Sequence, residues 1–109
     1  MKIKVFHSGV HVANVLVLDP TMSAEDALEY AWRWTNNVAG SWSIKEKNFG
    51  GPGGEKNGDY NENVQVAAPL PTHLGRTYGH RSSMVGDVFE LDGVPYKVAS
   101  FGFEKVENV

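Results

Sequence analysis

Residues 87–100 alternate apolar and polar side chains with a period of two on either side of an Asp92-Gly93 pair. Val88, Glu90 and Asp92 fall on one face of an extended chain, and Phe89 and Leu91 fall on the other. On the return, Tyr96, Val98 and Ser100 share a face against Lys97 and Ala99. A strict period of two marks a half-buried strand, and Asp-Gly supplies the positive φ that a two-residue hairpin turn needs. The last third of the chain is therefore committed to an antiparallel sheet, with expected strands over 87–91 and 95–100.

The N-terminus repeats the pattern. Ile3 and Val5 alternate with Lys2 and Lys4, His7-Ser8-Gly9 reads as a turn, and residues 10–18 are rich in β-branched side chains. A first hairpin is expected over 2–6 and 11–18. Asp19-Pro20-Thr21 ends it, because proline cannot donate to a ladder. Ser23 then has the chemistry of a helix N-cap, with Glu25 and Asp26 in the first turn, where the helix dipole favours negative charge. Ala27, Leu28, Ala31, Trp32, Thr35 and Val38 recur at helical spacing and form the expected buried stripe. Glu29 and Arg33 make a favourable i,i+4 pair outside it. Asn36, Asn37 and Gly40 are the expected stop.

The middle of the chain is less regular. Residues 41–45, around Trp42, and residues 63–67 are expected as short strands. Between them lies Asn48-Phe-Gly-Gly-Pro-Gly-Gly-Glu-Lys-Asn-Gly-Asp59, expected as a mobile Gly-rich loop over about 48–59. Residues 69–80, with two prolines, read as an irregular connection. The sum is one α+β domain over 1–109, a mainly antiparallel sheet of ββαβββ-like order with one helix packed across it.

Composition bounds the function. With 41% hydrophobic residues the chain can bury a core and is no disordered tail. Its net charge is -3, spread evenly: three basic and four acidic groups in 1–40, four of each in 41–80, three and five in 81–109. With no basic block, strong nonspecific nucleic-acid binding is disfavoured. Cysteine is absent, which removes disulfides, thiolate catalysis and cysteine-ligated zinc. No apolar run reaches membrane-spanning length, and the start does not read as a signal peptide, so a cytoplasmic location is expected.

Two stretches carry a family resemblance. Ser82, Val85, Gly86 and Asp87, followed by Tyr96, Val98, Ser100, Phe101, Gly102 and Phe103, resemble the closing motif of YodL-like domains. That motif runs Ser-Leu-Ser-Val-(Ser/Gly)-Asp, an apolar strand, then Tyr-x-Val-x-Ser-Phe-Gly-Phe. The chain departs from it at Ser83, Met84 and Ala99. Upstream, Trp34-Thr35-Asn36 followed by Trp42 is similar to the Leu-Thr-Asn…Trp pattern of small accessory proteins common in actinobacterial phages. The resemblance covers roughly residues 25–106. It implies a small phage or mobile-element protein acting in an infected host cell, in a family with no catalytic residues to carry over.

No catalytic set stands out. His7, His11, His73 and His80 are the only soft metal ligands, and no carboxylate pair is spaced to complete a site with them. The Gly-Gly-Pro-Gly-Gly run lacks the Lys-Ser/Thr and following helix of a phosphate-binding loop. Ser82 or Ser83 with His80 and Asp87 supplies triad residue types, but side by side on one segment. Phe101-Gly102-Phe103 is expected as a bulge with both rings in the core. No cofactor is expected. The helix carries more aromatic surface than one face can bury: with Trp32 in the core, Tyr30 and Trp34 are left over. The expected partner-binding surface joins Tyr30 and Trp34 to Phe49 of the Gly-rich loop and to Arg81. The expected function is noncatalytic binding of a host or phage protein. Two alternatives stand beside it. A nucleic-acid-associated regulator would use Lys45, Lys47, Lys56, Arg76 and Arg81 with Trp42 or Tyr78 as stacking platforms. A small-molecule or nucleotide-binding module would use the Gly loop with Trp34 and Arg81.

Overall fold

The computed structural model describes residues 1–107. The chain forms β1 (Lys2–His7), β2 (Val10–Leu16), α1 (Ala24–Trp34), β3 (Val64–Val66), β4 (Thr72–His73), β5 (Arg76–Thr77), β6 (Val88–Leu91), β7 (Val94–Val98) and β8 (Phe103–Lys105). Six strands build one antiparallel sheet in the order β3-β2-β1-β6-β7-β8, and β4-β5 is a separate two-stranded hairpin. The α+β architecture read from the sequence is the one observed.

The two hairpins legible in the sequence are the halves of this sheet. Ser8 (φ 50°) and Gly9 (φ 81°) turn the first; Asp92 (φ 45°) and Gly93 (φ 90°) turn the second. Both are two-residue turns in the left-handed region, whose twist matches that of the strands they join. The halves meet at β1 and β6, where Ile3 faces Leu91 and Val5 faces Phe89. Asp92 locks the seam: its carboxylate accepts from the Lys2 amide at 2.9 Å, and its own amide donates to the Lys2 carbonyl at 3.0 Å.

One face of the sheet is the core. Ile3, Val5, Val15, Val64 and Phe89 are almost completely buried on it. The Ser23 hydroxyl accepts from the Asp26 amide at 3.1 Å, so α1 starts where the sequence places it, and Ala27, Leu28 and Ala31 pack down on the sheet. The largest fully buried side chain is Trp42.

Four expectations need correction. The helix ends at Trp34 with Thr35 as its C-cap, so Val38 lies outside it and is 69% exposed. The Asp59 carboxylate captures the amides of Val38 and Ala39 at 2.8 and 2.9 Å, a stronger acceptor than the next helical carbonyls. Residues 41–45 form no strand, because Asn57 rather than a neighbouring strand takes their backbone groups. Residues 69–80 contain the β4-β5 hairpin, turned by Leu74 and Gly75. Phe101-Gly102-Phe103 is no bulge: Gly102 (φ 68°) closes a turn into β8, and only Phe103 packs inward, against Phe89 at 5.5 Å. Phe101 is 96% exposed.

The loop over 48–59 is tied at its base. Asn57 and Asp59 are buried, and the loop turns back through a Phe49 amide to Glu55 carbonyl bond of 2.9 Å. Gly54 is obligatory there, since a Cβ would collide with the Phe49 carbonyl oxygen. Its last residues thus order against their own chain, without a partner.

Candidate functional site

Three polar or apolar groupings could carry function, and each rests on a different part of the fold. The first lies where α1 ends. Thr35 Oγ1 donates to the Ala31 carbonyl at 2.8 Å, which uses its only proton. Ser83 Oγ, 2.7 Å from Thr35 Oγ1, must then donate to Thr35. His7 Nε2, 2.8 Å from Ser83 Oγ, must in turn be the protonated nitrogen and donate to Ser83. Asp87 Oδ2 lies 3.9 Å from the same Nε2. The Asp87 carboxylate accepts from Arg81 Nη1 and Nη2 at 2.7 and 3.0 Å and from the amides of Met84 and Ser8.

The charge states follow. Burial, the largest effect, lowers the His7 pKa to about 4; Asp87 opposes this, and Arg81 and His80 add to it. Burial alone would push the Asp87 carboxyl up, but the Arg81 hydrogen bond and the two amides outweigh it and hold it below the usual carboxylate range. His7 is thus neutral at neutral pH, with its proton pointed at Ser83. The Ser83 proton points to Thr35, away from the imidazole, so the ring is not placed to take it. The triad residues on the 80–87 segment are not assembled either: His80 stacks on Trp42 with Nε2 on the Ala68 carbonyl, and Ser82 Oγ accepts from the Asn37 amide. These groups fasten the helix end, the β1-β2 turn and the 80–87 segment together. Trp42 joins them through Nε1 to the Arg81 carbonyl at 2.9 Å. Thr35, Trp42, Ser82 and Asp87 therefore meet on one scaffold.

The second grouping is a groove between α1 and the β7-β8 turn. One half, of about 350 Å³, is walled by Trp32, Val85 and Phe103 with Glu29 at its rim. The other half, of about 360 Å³, is walled by Leu28, Tyr96 and Phe101 with Glu25 at its rim. Gly102 and Phe103 line both halves, so they adjoin. Its exposed apolar walls include Phe101 and Val85, the latter 59% exposed. The sequence placed Phe101 in the core; the signal for the opposite was Ser100 ahead of Gly102, a turn pair rather than a strand continuation.

The third grouping surrounds Tyr60. Lys45 and Lys47 place their ammonium groups 4.6 and 5.8 Å from its ring centroid. Lys56 and Lys47 line a recess of about 360 Å³ with Tyr60.

The four residues expected to bind a partner are not brought into one surface by any hydrogen bond or ring contact among the described residues. Tyr30 and Trp34 do meet, with ring centroids 6.4 Å apart, and both are half-buried against the core. The Tyr30 hydroxyl accepts from Asn61 Nδ2 at 2.9 Å, and the Arg33 guanidinium sits 4.1 Å from the Trp34 ring. Phe49 is half-buried in the Gly-rich loop. Arg81 is on the β1-β2 turn side, clamped to Asp87 and 3.4 Å from Ser8 Oγ. Of the five cations proposed for nucleic acid, Lys45, Lys47 and Lys56 gather at Tyr60, Arg76 covers Tyr78 on the β4-β5 hairpin, and Arg81 is spent on Asp87. Trp42 is fully buried and cannot stack a base.

No protein-family model matches the chain, and neither a curated protein nor a solved structure is significantly similar to it. Among the described residues no three His, Asp or Glu side chains converge to hold a metal ion, and no helix is long and apolar enough to cross a membrane.

Proposed function

We propose that this chain is a noncatalytic accessory protein of phage type, acting in the cytoplasm of an infected cell by binding a host or phage protein. The observation that carries the reading is Phe101. An aromatic side chain 96% exposed contributes almost nothing to folding. Yet it is held on a tight turn, with the Ala99 amide donating to the Gly102 carbonyl at 3.0 Å, beside a groove walled by Trp32, Tyr96 and Phe103. An exposed aromatic on a fixed turn beside a groove with aromatic walls is the usual anatomy of a binding anchor. Glu25 and Glu29 at the rim favour a partner segment that places an apolar side chain in the groove and a Lys or Arg beside it. This moves the favoured surface from Tyr30, Trp34, Phe49 and Arg81 to the other flank of α1, because Arg81 is committed to Asp87.

The test is capture from host lysate after nuclease treatment, with the parent chain and Phe101→Asp compared side by side. One protein recovered by the parent and lost by Phe101→Asp, with equal melting temperatures, supports the reading. Glu25→Lys with Glu29→Lys should weaken the same capture. Equal recovery by all three chains removes the groove from consideration, and recovery that nuclease abolishes favours the nucleic-acid alternative.

A further inference from the structure

The Gly-rich segment and the lysines around it take no part in the groove, and they form a frame of their own. Asn57 is 3% exposed, and its side-chain NH2 donates to the carbonyls of Ser41, Ile44 and Glu46 at 2.9, 3.1 and 3.0 Å. Its backbone amide donates to the Lys47 carbonyl at 2.8 Å. One buried amide thus holds the backbone that carries Lys45 and Lys47 against the residues that carry Lys56 and Tyr60. The lysine stems are placed by this buried clamp rather than by the loop.

Lys45 and Lys47 hold their ammonium groups against the Tyr60 ring and Lys56 lines the recess beside it, so like charges crowd there and repel one another. Among the described residues, none of them has a carboxylate within 4.0 Å: the ion pairs present at neutral pH are Arg33–Asp59 and Arg81–Asp87. Asp59, the nearest buried acid in sequence, is saturated by Arg33 and the amides of Val38 and Ala39. Lys45 donates to the Asn61 carbonyl at 2.6 Å, whereas among the described residues no hydrogen bond engages the ammonium groups of Lys47 and Lys56. The recess that these two share with Asn48, Asn57 and Tyr60 holds about 360 Å³. It continues at Lys47 and Asn48 into a second recess of about 430 Å³, lined by Glu46, Gly51 and Pro52. Together they fall in the size range of small-ligand sites. Glu46 makes the second recess unfavourable for an anion, which puts the anionic part of a ligand in the first.

We infer that the Lys47–Lys56–Tyr60 recess binds a small oligophosphate anion. Lysine suits this ligand as a point charge with three rotatable donors, and a polyanion offsets the like charges of Lys47 and Lys56 at once. The chemistry is shared by free oligophosphate and by nucleotides that carry it.

The experiment is a heteronuclear NMR titration of the whole chain with tripolyphosphate, with ATP, and with a short single-stranded oligodeoxynucleotide. Saturable shifts confined to residues 45–60 with tripolyphosphate are expected. Lys47→Gln with Lys56→Gln should reduce affinity by at least about tenfold, the order expected when two phosphate-facing charges go, with melting temperature and the 1–40 spectrum unchanged. Additional shifts at Tyr60 with ATP over tripolyphosphate would name a nucleotide. Absence of saturation with tripolyphosphate, equal affinity in the double variant, or binding of the oligodeoxynucleotide alone each overturns the proposal. Phe101→Asp must leave the titration unchanged, so this site and the protein-binding groove fail separately.

Discussion

His7 and Ser83 stand 76 residues apart in the chain, and their side chains meet at 2.8 Å in a buried hydrogen bond. The bond joins the end of β1 to the segment that leads into β6, and Thr35 extends it to the end of α1. Burial keeps the ring neutral, with its proton on the Nε2 that this bond uses. That makes the junction sensitive to acid.

Stability should therefore fall between pH 6.5 and 4. The folded His7 pKa is about 4 and the ordinary value is 6.5. Between them the unfolded chain binds a proton that the folded chain does not, so stability rises with pH and is lost on acidification. The loss is at most about 3 kcal/mol for one group. Asp87, held below the usual range, adds a further loss only as the pH falls below 3.8. Melting temperatures from pH 7.5 to 4 should show the slope in the parent and a flatter profile in His7→Gln, which retains a donor for Ser83. Parallel profiles would refute the assignment.

Arg81→Ala should destabilise the fold rather than act only at a surface. It leaves Asp87, 4% exposed, with two amide donors in place of four hydrogen-bonded contacts. An under-satisfied buried acceptor costs about 1–3 kcal/mol. Arg81 is itself 40% exposed, so water replaces part of the loss and about 1 kcal/mol is expected. Urea denaturation of Arg81→Ala, Asp87→Asn and the double variant measures the coupling; strict additivity would show that the pair contributes nothing.

Trp42 and Phe101 should behave as opposites. Trp42→Ala removes a fully buried ring and its bond to the Arg81 carbonyl, and should cost about 3–5 kcal/mol. Phe101→Ala should shift stability by less than about 0.5 kcal/mol, as substitutions of isolated surface groups do. Thermal melts of the two variants rank the rings directly, and equal losses would mean that Phe101 is packed.

Gly93→Val should weaken the second hairpin, because a β-branched residue at φ 90° is strained and nothing nearby relieves it. A loss of about 1–2 kcal/mol is expected from the left-handed conformation alone. Amide exchange in β6 and β7 should accelerate in the variant; unchanged protection there would contradict the turn geometry.

What was legible in the sequence was whatever repeats locally. Period-two alternation and two Gly-bearing turns gave both hairpins, and Ser23 with its two acids gave the start of α1. The end of α1 was not legible, because Asp59, 20 and 21 residues further on, decides it by taking the amides of Ala39 and Val38. The same holds for residues 41–45, where strand-like composition loses to the side chain of Asn57. The burial of Thr35 was legible in the helical stripe, but the His7–Ser83–Thr35 chain was not, because His7 and Ser83 are ordinary surface residue types until the sheet brings them to it. Of the candidate site, the aromatic surplus of α1 was legible, but not which flank stays open, since that depends on where the β7-β8 turn lands.

β1 sits in the interior of the sheet, with β2 on one side and β6 on the other. Its first edge is filled by a neighbour across a two-residue turn, but its second must wait for Leu91 to reach Ile3. During synthesis the N-terminal hairpin therefore carries a bare row of main-chain groups until the last third of the chain is available. Closing so distant a pairing is entropically slow. Folding speed should thus be governed by the β1-β6 seam, and a nascent chain stalled before residue 88 would present that row to any strand able to take its place.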